Sequence, residues 1–124
     1  MTRRTVLTAL ALLALPVSAD EPAPQWTLVQ VDGQAPGYAA TLMLDGAGKV
    51  VGQAPCNRWF GSVEGVAPDF TISDLTSTEM ACAGLAQEQE FFALLKSVTT
   101  IEQTGATLTL RGTEHVLGFA AADN

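Results

Sequence analysis

Two cysteines and a single histidine are the residues of this 124-residue chain that could support nucleophilic or metal chemistry. A thiol enzyme would pair Cys56 or Cys82 with His115, and Asn57 would orient the imidazole. Asn57 directly follows Cys56, however, and neighbouring residues on a strand point to opposite sides. His115 alternates in phase with Leu117, which is typical of a sheet face. The pattern therefore favours a structural role for these residues over a thiol active site.

Metal and glycosidase sites have even less support. Tetrahedral zinc needs about four ligands, and the cysteines and the histidine are too few and not closely spaced. The acid pairs Glu88 with Glu90 and Asp69 with Asp74 have no second element of a glycosidase site, so they are interpreted as solvated charges on a helix and on loops. The sequence thus predicts no catalytic, cofactor-binding or metal-binding residues.

The N-terminus has the pattern of a cleavable signal peptide. Arg3 and Arg4 precede an apolar run over residues 6–15, and small residues follow up to Ala19, after which cleavage is predicted. The run is too short for a spanning helix, which needs about 20 apolar residues. We therefore expect a periplasmic or secreted protein without stable membrane insertion, exported by either the general or the twin-arginine route, with residues 20–25 as a flexible lead-in.

Charge limits the class of partner. The full chain has a formal net charge of -7. Loss of Arg3 and Arg4 with the signal peptide leaves four basic residues against thirteen acidic ones, a net charge of -9. This balance repels phosphate backbones and anionic lipids, so nucleic acid and membrane surfaces are disfavoured as partners. The expected state is a monomer that binds an unknown protein or small molecule.

Export also changes the interpretation of the cysteines. Two cysteines in an oxidising compartment, with no third, most simply form a disulfide. A bond between Cys56 and Cys82 would restrict the unfolded chain by roughly 3.5 kcal/mol. That is a large share of the stability of a small domain.

Short runs of period-two alternation, broken by glycine, dominate the rest of the chain and predict antiparallel strands. The predicted strands span residues 26–31, 38–44, 49–54, 58–64, 70–75, 98–103, 106–111 and 114–120. Residues 85–97 instead show three-to-four-residue apolar spacing and predict the only helix. The fold class is therefore mainly β with one helix: a curled or closed antiparallel barrel of about eight strands, with the helix covering one opening.

Two short blocks around the cysteines carry a family resemblance. Cys56-Asn57-Arg58-Trp59-Phe60-Gly61-Ser62 resembles the C-N-R-aromatic-x-G-S signature of the META domain family, also called the family of the heat-shock protein HslJ. Thr78-Glu79-Met80-Ala81-Cys82 resembles its second block, T-x-M-A-C, and Glu88-x-x-Phe91-Phe92-x-x-Leu95 is similar to the helix that follows. The sequence departs from the pattern at Val63, often aromatic in relatives, and at Ala83, often proline. The resemblance covers residues 26 to 119 and places a META domain at 26–120, followed by a tail at 121–124.

The resemblance implies a small lipocalin-like β-barrel, found in exported bacterial proteins that are associated with heat shock and novobiocin tolerance, and it implies no catalytic residues. The motif residues are interpreted as structural: Asn57 would bond backbone around a turn, and Gly61 would permit a bend or a close approach. Arg58 is expected to pair with Glu79 or Glu88, and the alternative is that it faces outward as a binding residue.

Three functions follow from these observations. The first is a non-enzymatic envelope protein that supports stress tolerance through interactions. The second is an acidic inhibitor or binder of a basic exported enzyme such as a lysozyme. The third, which the sequence favours least, is a thiol enzyme that uses Cys56 or Cys82 with His115.

Overall fold

A computed structural model describes residues 24–122, which form eight antiparallel strands in one sheet and one helix. The strands are β1 (Gln25–Val31), β2 (Thr41–Leu44), β3 (Lys49–Gln53), β4 (Arg58–Glu64), β5 (Thr71–Ser77), β6 (Val98–Thr104), β7 (Thr107–Gly112) and β8 (Val116–Ala121), and helix α1 (Leu85–Ser97) connects β5 to β6. The predicted signal peptide and most of the lead-in lie outside the described residues. None of the described helical segments is long and apolar enough to span a membrane.

The sheet curls into a half-barrel. Its strand order is β5-β4-β3-β2-β1-β8-β7-β6, so β5 and β6 are the two edges. These edges approach each other just before β5, where the Phe70 N–H donates to the Thr99 carbonyl at 2.9 Å and the Ile101 N–H donates to the Pro68 carbonyl at 2.9 Å. The mainly β fold with one helix is confirmed, and it curls until its edges touch at one short bridge between Asp69 and Thr100.

Strand bounds depart from the prediction where the backbone turns. The predicted strand 38–44 begins only at Thr41, because Gly37 has a φ of 80° and bends the chain before it. The last strand begins at Val116, because the Gly112 N–H donates to the His115 carbonyl at 2.9 Å and closes a turn there. His115 therefore lies just before β8 and not on it, although its alternation with Leu117 is typical of a residue on a sheet face.

The core lies between the concave face of the sheet and α1. The sheet contributes inward-facing side chains from alternate positions, including Trp26, Leu28, Leu42, Val50, Trp59, Leu108, Leu110, Leu117 and Phe119. Helix α1 buries Phe91, Leu94 and Leu95 against them, which supplies the tertiary packing that a 13-residue helix needs. As the alternation predicts, only one of the adjacent aromatics on β4 faces inward: Trp59 is buried and Phe60 is exposed.

Candidate functional site

The two cysteines fix one end of the half-barrel. Cys56 and Cys82 form a disulfide with a Cα–Cα distance of 5.7 Å, as the sequence predicts. The bond joins the loop between β3 and β4 to the segment that leads into α1. Because both sulfurs are used in this bond, neither is available as a nucleophile. The structure also places His115 beside Asp32, so it does not assemble the thiol–imidazole pair of the third hypothesis.

Asn57 links the same two segments by hydrogen bonds. Its Nδ2 donates to the Met80 carbonyl at 2.9 Å, and its Oδ1 accepts from the Met80 N–H at 2.7 Å and from the Thr78 hydroxyl at 2.8 Å. The sequence predicted that Asn57 would bond backbone around a turn. The backbone that it bonds is that of Met80, 23 residues away, and the Thr78 hydroxyl lies 21 residues away. The side chain is only 3% exposed. Asn57 therefore ties the T-x-M-A-C block to the C-N-R block.

Glu88 completes this network from the first turns of α1. Its Oε1 accepts from the N–H groups of Cys56 and Asn57, each at 2.8 Å, and its Oε2 accepts from Asn57 Nδ2 at 2.6 Å. The side chain is 2% exposed. The interpretation of Glu88 and Glu90 as a pair of solvated helix charges is thus wrong for Glu88. Position 88 lies three residues before the buried Phe91, on the face that packs inward, and that helical spacing is the sequence signal that was missed.

Arg58 does not make the expected ion pair. Among the described residues, neither Glu79 nor Glu88 forms a salt bridge with it. Its guanidinium instead lies 5.6 Å from the centre of the Phe60 ring, a cation–π distance. Arg58 and Phe60 lie two positions apart on β4 and share its outer face. The prediction of an Arg58 pairing with Glu79 or Glu88 is therefore wrong.

Gly61 sits where the sheet leaves no room for a side chain. A Cβ at this position would lie 2.8 Å from Ile72 Cγ2 and 3.3 Å from Val50 Cγ1. The pairing of β4 with β5 also shifts register between Phe60 and Ser62, so Gly61 lies at the bulge. The structure therefore confirms the expected close approach of neighbouring residues to the backbone of Gly61.

A groove of about 300 Å³ lies over this network, between the T-x-M-A-C segment and α1. Leu85 and Phe92 of α1 form one wall, and Met80 forms the other with 64% of its surface exposed. Ala81 also lines the groove, and the buried Glu88 lies among its lining residues. The family motif thus positions the walls of an open, mostly apolar groove.

The half-barrel holds a second cavity at its opposite end. This cavity, of about 260 Å³, lies between the turn joining β2 to β3 and the loop joining β4 to β5. Leu44, Val63, Phe70 and Ile101 form its apolar walls. Lys49 and Asp69 also line it. Because Lys49 and Asp69 carry opposite charges, the lining of this cavity favours neither a cationic nor an anionic ligand.

His115 forms an exposed ion pair that sequence reasoning did not identify. Its Nδ1 lies 2.7 Å from Asp32 Oδ2, and the Val116 N–H donates to Asp32 Oδ1 at 2.8 Å. The bond to Asp32 raises the pKa of His115 above 6.5, and the same bond lowers the pKa of Asp32 below 3.8. In the sequence, the dipeptide Asp32-Gly33 indicates only a turn, and His115, the partner of Asp32, lies 83 residues further along the chain. The pair joins the first hairpin turn to the start of β8.

The described residues contain no group of three or more His, Cys, Asp or Glu side chains arranged to hold a metal ion. Asp69 and Asp74, the other acid pair of the sequence, are both exposed. The polar atoms that do converge, those of Asn57, Thr78 and Glu88, hydrogen-bond to one another and to backbone. This arrangement can fix the geometry of a binding groove.

Comparison with known proteins identifies the family and the fold of this chain. The META domain family model matches residues 20–124. An NMR structure of a protein from Burkholderia xenovorans is similar in fold, with a TM-score of 0.64 at 20% identity, and the alignment covers 94% of this chain and 100% of that one. A crystal structure of a DUF4847 family protein from Bacteroides vulgatus has a TM-score of 0.66 at 12% identity, covering 82% of this chain and 94% of that one.

A second NMR structure gives a TM-score of 0.64 at 21% identity, over 82% of this chain and 91% of the other. At these identities the likeness establishes the fold alone. Comparison with curated proteins yields no match. The family model covers most of the chain, including both cysteine blocks and the helix that carries Glu88, and the chain therefore belongs to the META domain family.

Proposed function

We propose that this chain is an exported, non-enzymatic protein of the cell envelope that supports tolerance of heat and antibiotic stress through interactions. One observation carries the non-enzymatic part of the proposal: the polar side chains of the motif bond to the protein itself. Asn57 and Glu88 are buried and use their polar atoms on each other and on backbone, and both cysteines are in the disulfide. A nucleophile or a general acid or base needs a group that is free to react, and here both sulfurs are bonded to each other and three hydrogen bonds hold the Glu88 carboxylate. The motif thus supports a rigid binding scaffold.

The export part of the proposal comes from the N-terminal sequence and from the disulfide. Residues 1–19 have the order of charged, apolar and small segments that signal peptides have. A disulfide persists in an oxidising compartment such as the periplasm. Fractionation of cells should place the protein in the periplasm or the medium, with a new N-terminus at Asp20. A protein recovered from the cytoplasm with residues 1–19 intact would contradict export.

A deletion strain of the source organism tests the role in stress tolerance. We expect lower survival under heat and under novobiocin or other envelope-targeting antibiotics, restored by the wild-type gene. His115→Ala should restore survival equally, because the proposal gives His115 no catalytic role. Normal survival of the deletion strain under all these conditions would refute the stress role.

A second candidate is an acidic binder or inhibitor of a basic exported enzyme such as a lysozyme. Charge favours it: residues 24–122 contain ten acidic and four basic side chains. Such an excess steers a cationic protein toward this surface and raises its association rate. Lysozyme activity measured against excess purified protein tests the named example, and unchanged activity would remove lysozyme as the target.

A further inference from the structure

Glu88 carries a buried charge whose partners are all neutral. Its carboxylate accepts three hydrogen bonds, two from backbone N–H groups and one from Asn57 Nδ2. Both salt bridges of the described residues lie elsewhere: Arg111 with Glu102, and His115 with Asp32. Buried charges in proteins are normally paired with an opposite charge. Residues 24–122 supply hydrogen bonds to this carboxylate and no cation.

The groove over Glu88 is shaped to receive such a cation. Oε1 accepts two of the three hydrogen bonds and Oε2 accepts one, so Oε2 has a lone pair left for another donor. Phe92 and Leu85 line the groove with apolar surface that suits the stem of a long side chain, and the Phe92 ring is an aromatic group of the kind that attracts a guanidinium. Glu79 lines the groove as well and adds a second negative charge.

The groove is also rigid before anything binds. The Met80 backbone is held on both its N–H and its carbonyl by Asn57, and the disulfide fixes Cys82 two residues later. These bonds fix the backbone of Met80, whose apolar side chain is 64% exposed. A wall that is ordered in advance lowers the entropic cost of binding.

We propose that this groove is the docking site for an arginine side chain of a basic partner protein. The guanidinium would bond the free side of the Glu88 carboxylate, and flanking apolar residues of the partner would pack on Met80 and Phe92. Arginine fits better than lysine, because its planar, weakly hydrated head stacks on aromatic rings and is suited to buried ion pairs. The inference rests on the interaction role proposed above and gives that role a surface and a partner chemistry.

Two other clefts fit this chemistry less well. The cleft of about 220 Å³ beside α1 contains Asp32, but that carboxylate already holds His115. The cavity at the opposite end of the half-barrel has Lys49 on its lining, which repels a cation. The groove over Glu88 is the one of these three in which a buried carboxylate without a cationic partner meets apolar walls.

The test is an NMR titration of the oxidised, ¹⁵N-labelled protein at low salt with two blocked pentapeptides. One has the sequence Gly-Leu-Arg-Leu-Gly, and the other replaces arginine with citrulline, which keeps the shape and removes the charge. We expect the arginine peptide to shift the amide signals of Met80, Gln89 and Phe92, and to bind about tenfold more tightly than the citrulline peptide, because a charge-assisted hydrogen bond replaces a neutral one.

Two variants keep the result interpretable. Glu88→Gln removes the charge but also disturbs the hydrogen bonds with Asn57, so its effect on folding is measured first by circular dichroism. Met80→Ser leaves the folded core untouched and should weaken binding of the arginine peptide by about threefold, since it removes exposed apolar wall. Val66→Ser is the matched control, because Val66 is 85% exposed and lies in the loop at the opposite end of the half-barrel.

Shifts confined to the groove, with a preference for arginine and sensitivity to Met80→Ser, would support the proposal. Equal binding of both peptides, shifts centred on Asp32 and His115, or no shifts would overturn it. The interaction role is tested separately by the deletion strain: if that strain loses survival under stress but the arginine peptide causes no shifts in the groove, the groove assignment fails while the stress role stands.

Discussion

Replacing Asn57 with alanine tests how much the buried motif network contributes to stability. The side chain makes four hydrogen bonds, and their partners are Glu88 Oε2, the N–H and carbonyl of Met80, and the Thr78 hydroxyl. In the variant, Met80 is exposed enough for water to replace Asn57 at its backbone. Glu88 is not, and its carboxylate would keep only the two backbone donors.

The magnitude follows from this division. A hydrogen bond to a buried charged group contributes about 1.5–3 kcal/mol, and the remaining bonds, partly replaced by water, contribute about 1 kcal/mol together. We therefore expect Asn57→Ala to lower the free energy of unfolding by about 3 kcal/mol. A domain of this size has a total stability of about 5–15 kcal/mol. The melting temperature should fall by about 12–24 °C, since 1 kcal/mol corresponds to about 4–8 °C in a domain of up to about 100 residues.

Equilibrium unfolding of the oxidised protein in urea measures this loss. The midpoint should fall while the slope m stays constant. Gln53→Ala is the matched control, because Gln53 is an exposed amide at the end of β3, and its change should stay within about 0.5 kcal/mol. In a double-mutant cycle with Glu88→Ala, the two positions should couple by at least about 1 kcal/mol. A loss for Asn57→Ala no larger than that of Gln53→Ala, or a coupling near zero, would refute the account of the network.

Three further changes probe other parts of the structure. Gly61→Ala should lower the free energy of unfolding in urea by about 1–3 kcal/mol, because its Cβ would lie 2.8 Å from Ile72 Cγ2. Gly118→Ala should cost less, because its Cβ would lie 3.5 Å from the nearest atom, Gln30 Cβ. Equal losses for the two variants would contradict the packing argument. Cys56→Ser with Cys82→Ser should lower the free energy of unfolding by about 3.5 kcal/mol, and an unchanged urea midpoint would refute that contribution. His115→Asn should lower the urea midpoint at pH 5.5 but hardly at pH 9, and a pH-independent loss would exclude the ion pair as its cause.

The sign of the pH effect follows from the two pKa shifts. The bond to Asp32 raises the pKa of His115 above 6.5, so its contribution to stability is complete below pH 6.5 and is lost as the pH rises through the folded value. The pKa of Asp32 is lowered below 3.8, so its contribution is present above pH 3.8 and is lost as the pH falls through the folded value. The pair therefore stabilises the protein most between about pH 4 and 6.5.

Periodicity predicted the regular elements well, since apolar spacing records which face is buried. Helix 85–97 and strand 58–64 have the predicted bounds. The strand predicted at 38–44 was too long. Tyr38 and Ala40 continue the apolar alternation, but the backbone bends at Gly37 and does not become a strand until Thr41. The alternation of side chains does not reveal such a bend, because the bend depends on backbone torsion angles.

The candidate site was harder to predict, because its bonds join residues far apart in the chain. The partners of Glu88 lie 31 and 32 positions away, and only the folded loops bring them together. The orientation of Arg58 was a different kind of error. The alternation requires only that one of Trp59 and Phe60 faces inward. The structure shows that it is Trp59, and period two then places Arg58 outside with Phe60, away from the buried Glu88.

The residues that build the groove differ in part from the residues that a partner would contact at its mouth. Asn57 and Glu88 hydrogen-bond to each other and to backbone, and the disulfide joins the same segments. The motif therefore determines where the groove lies and keeps the Glu88 carboxylate buried beneath it. The motif residues Met80 and Phe92 also line its open surface, but Glu79 and Gln89 lie there at positions that the motif leaves unspecified. Substitutions there would change shape and charge at the mouth while leaving the buried network intact. If the proposed docking groove is correct, two proteins with the same motif would share this scaffold and differ in the partner that fits its mouth.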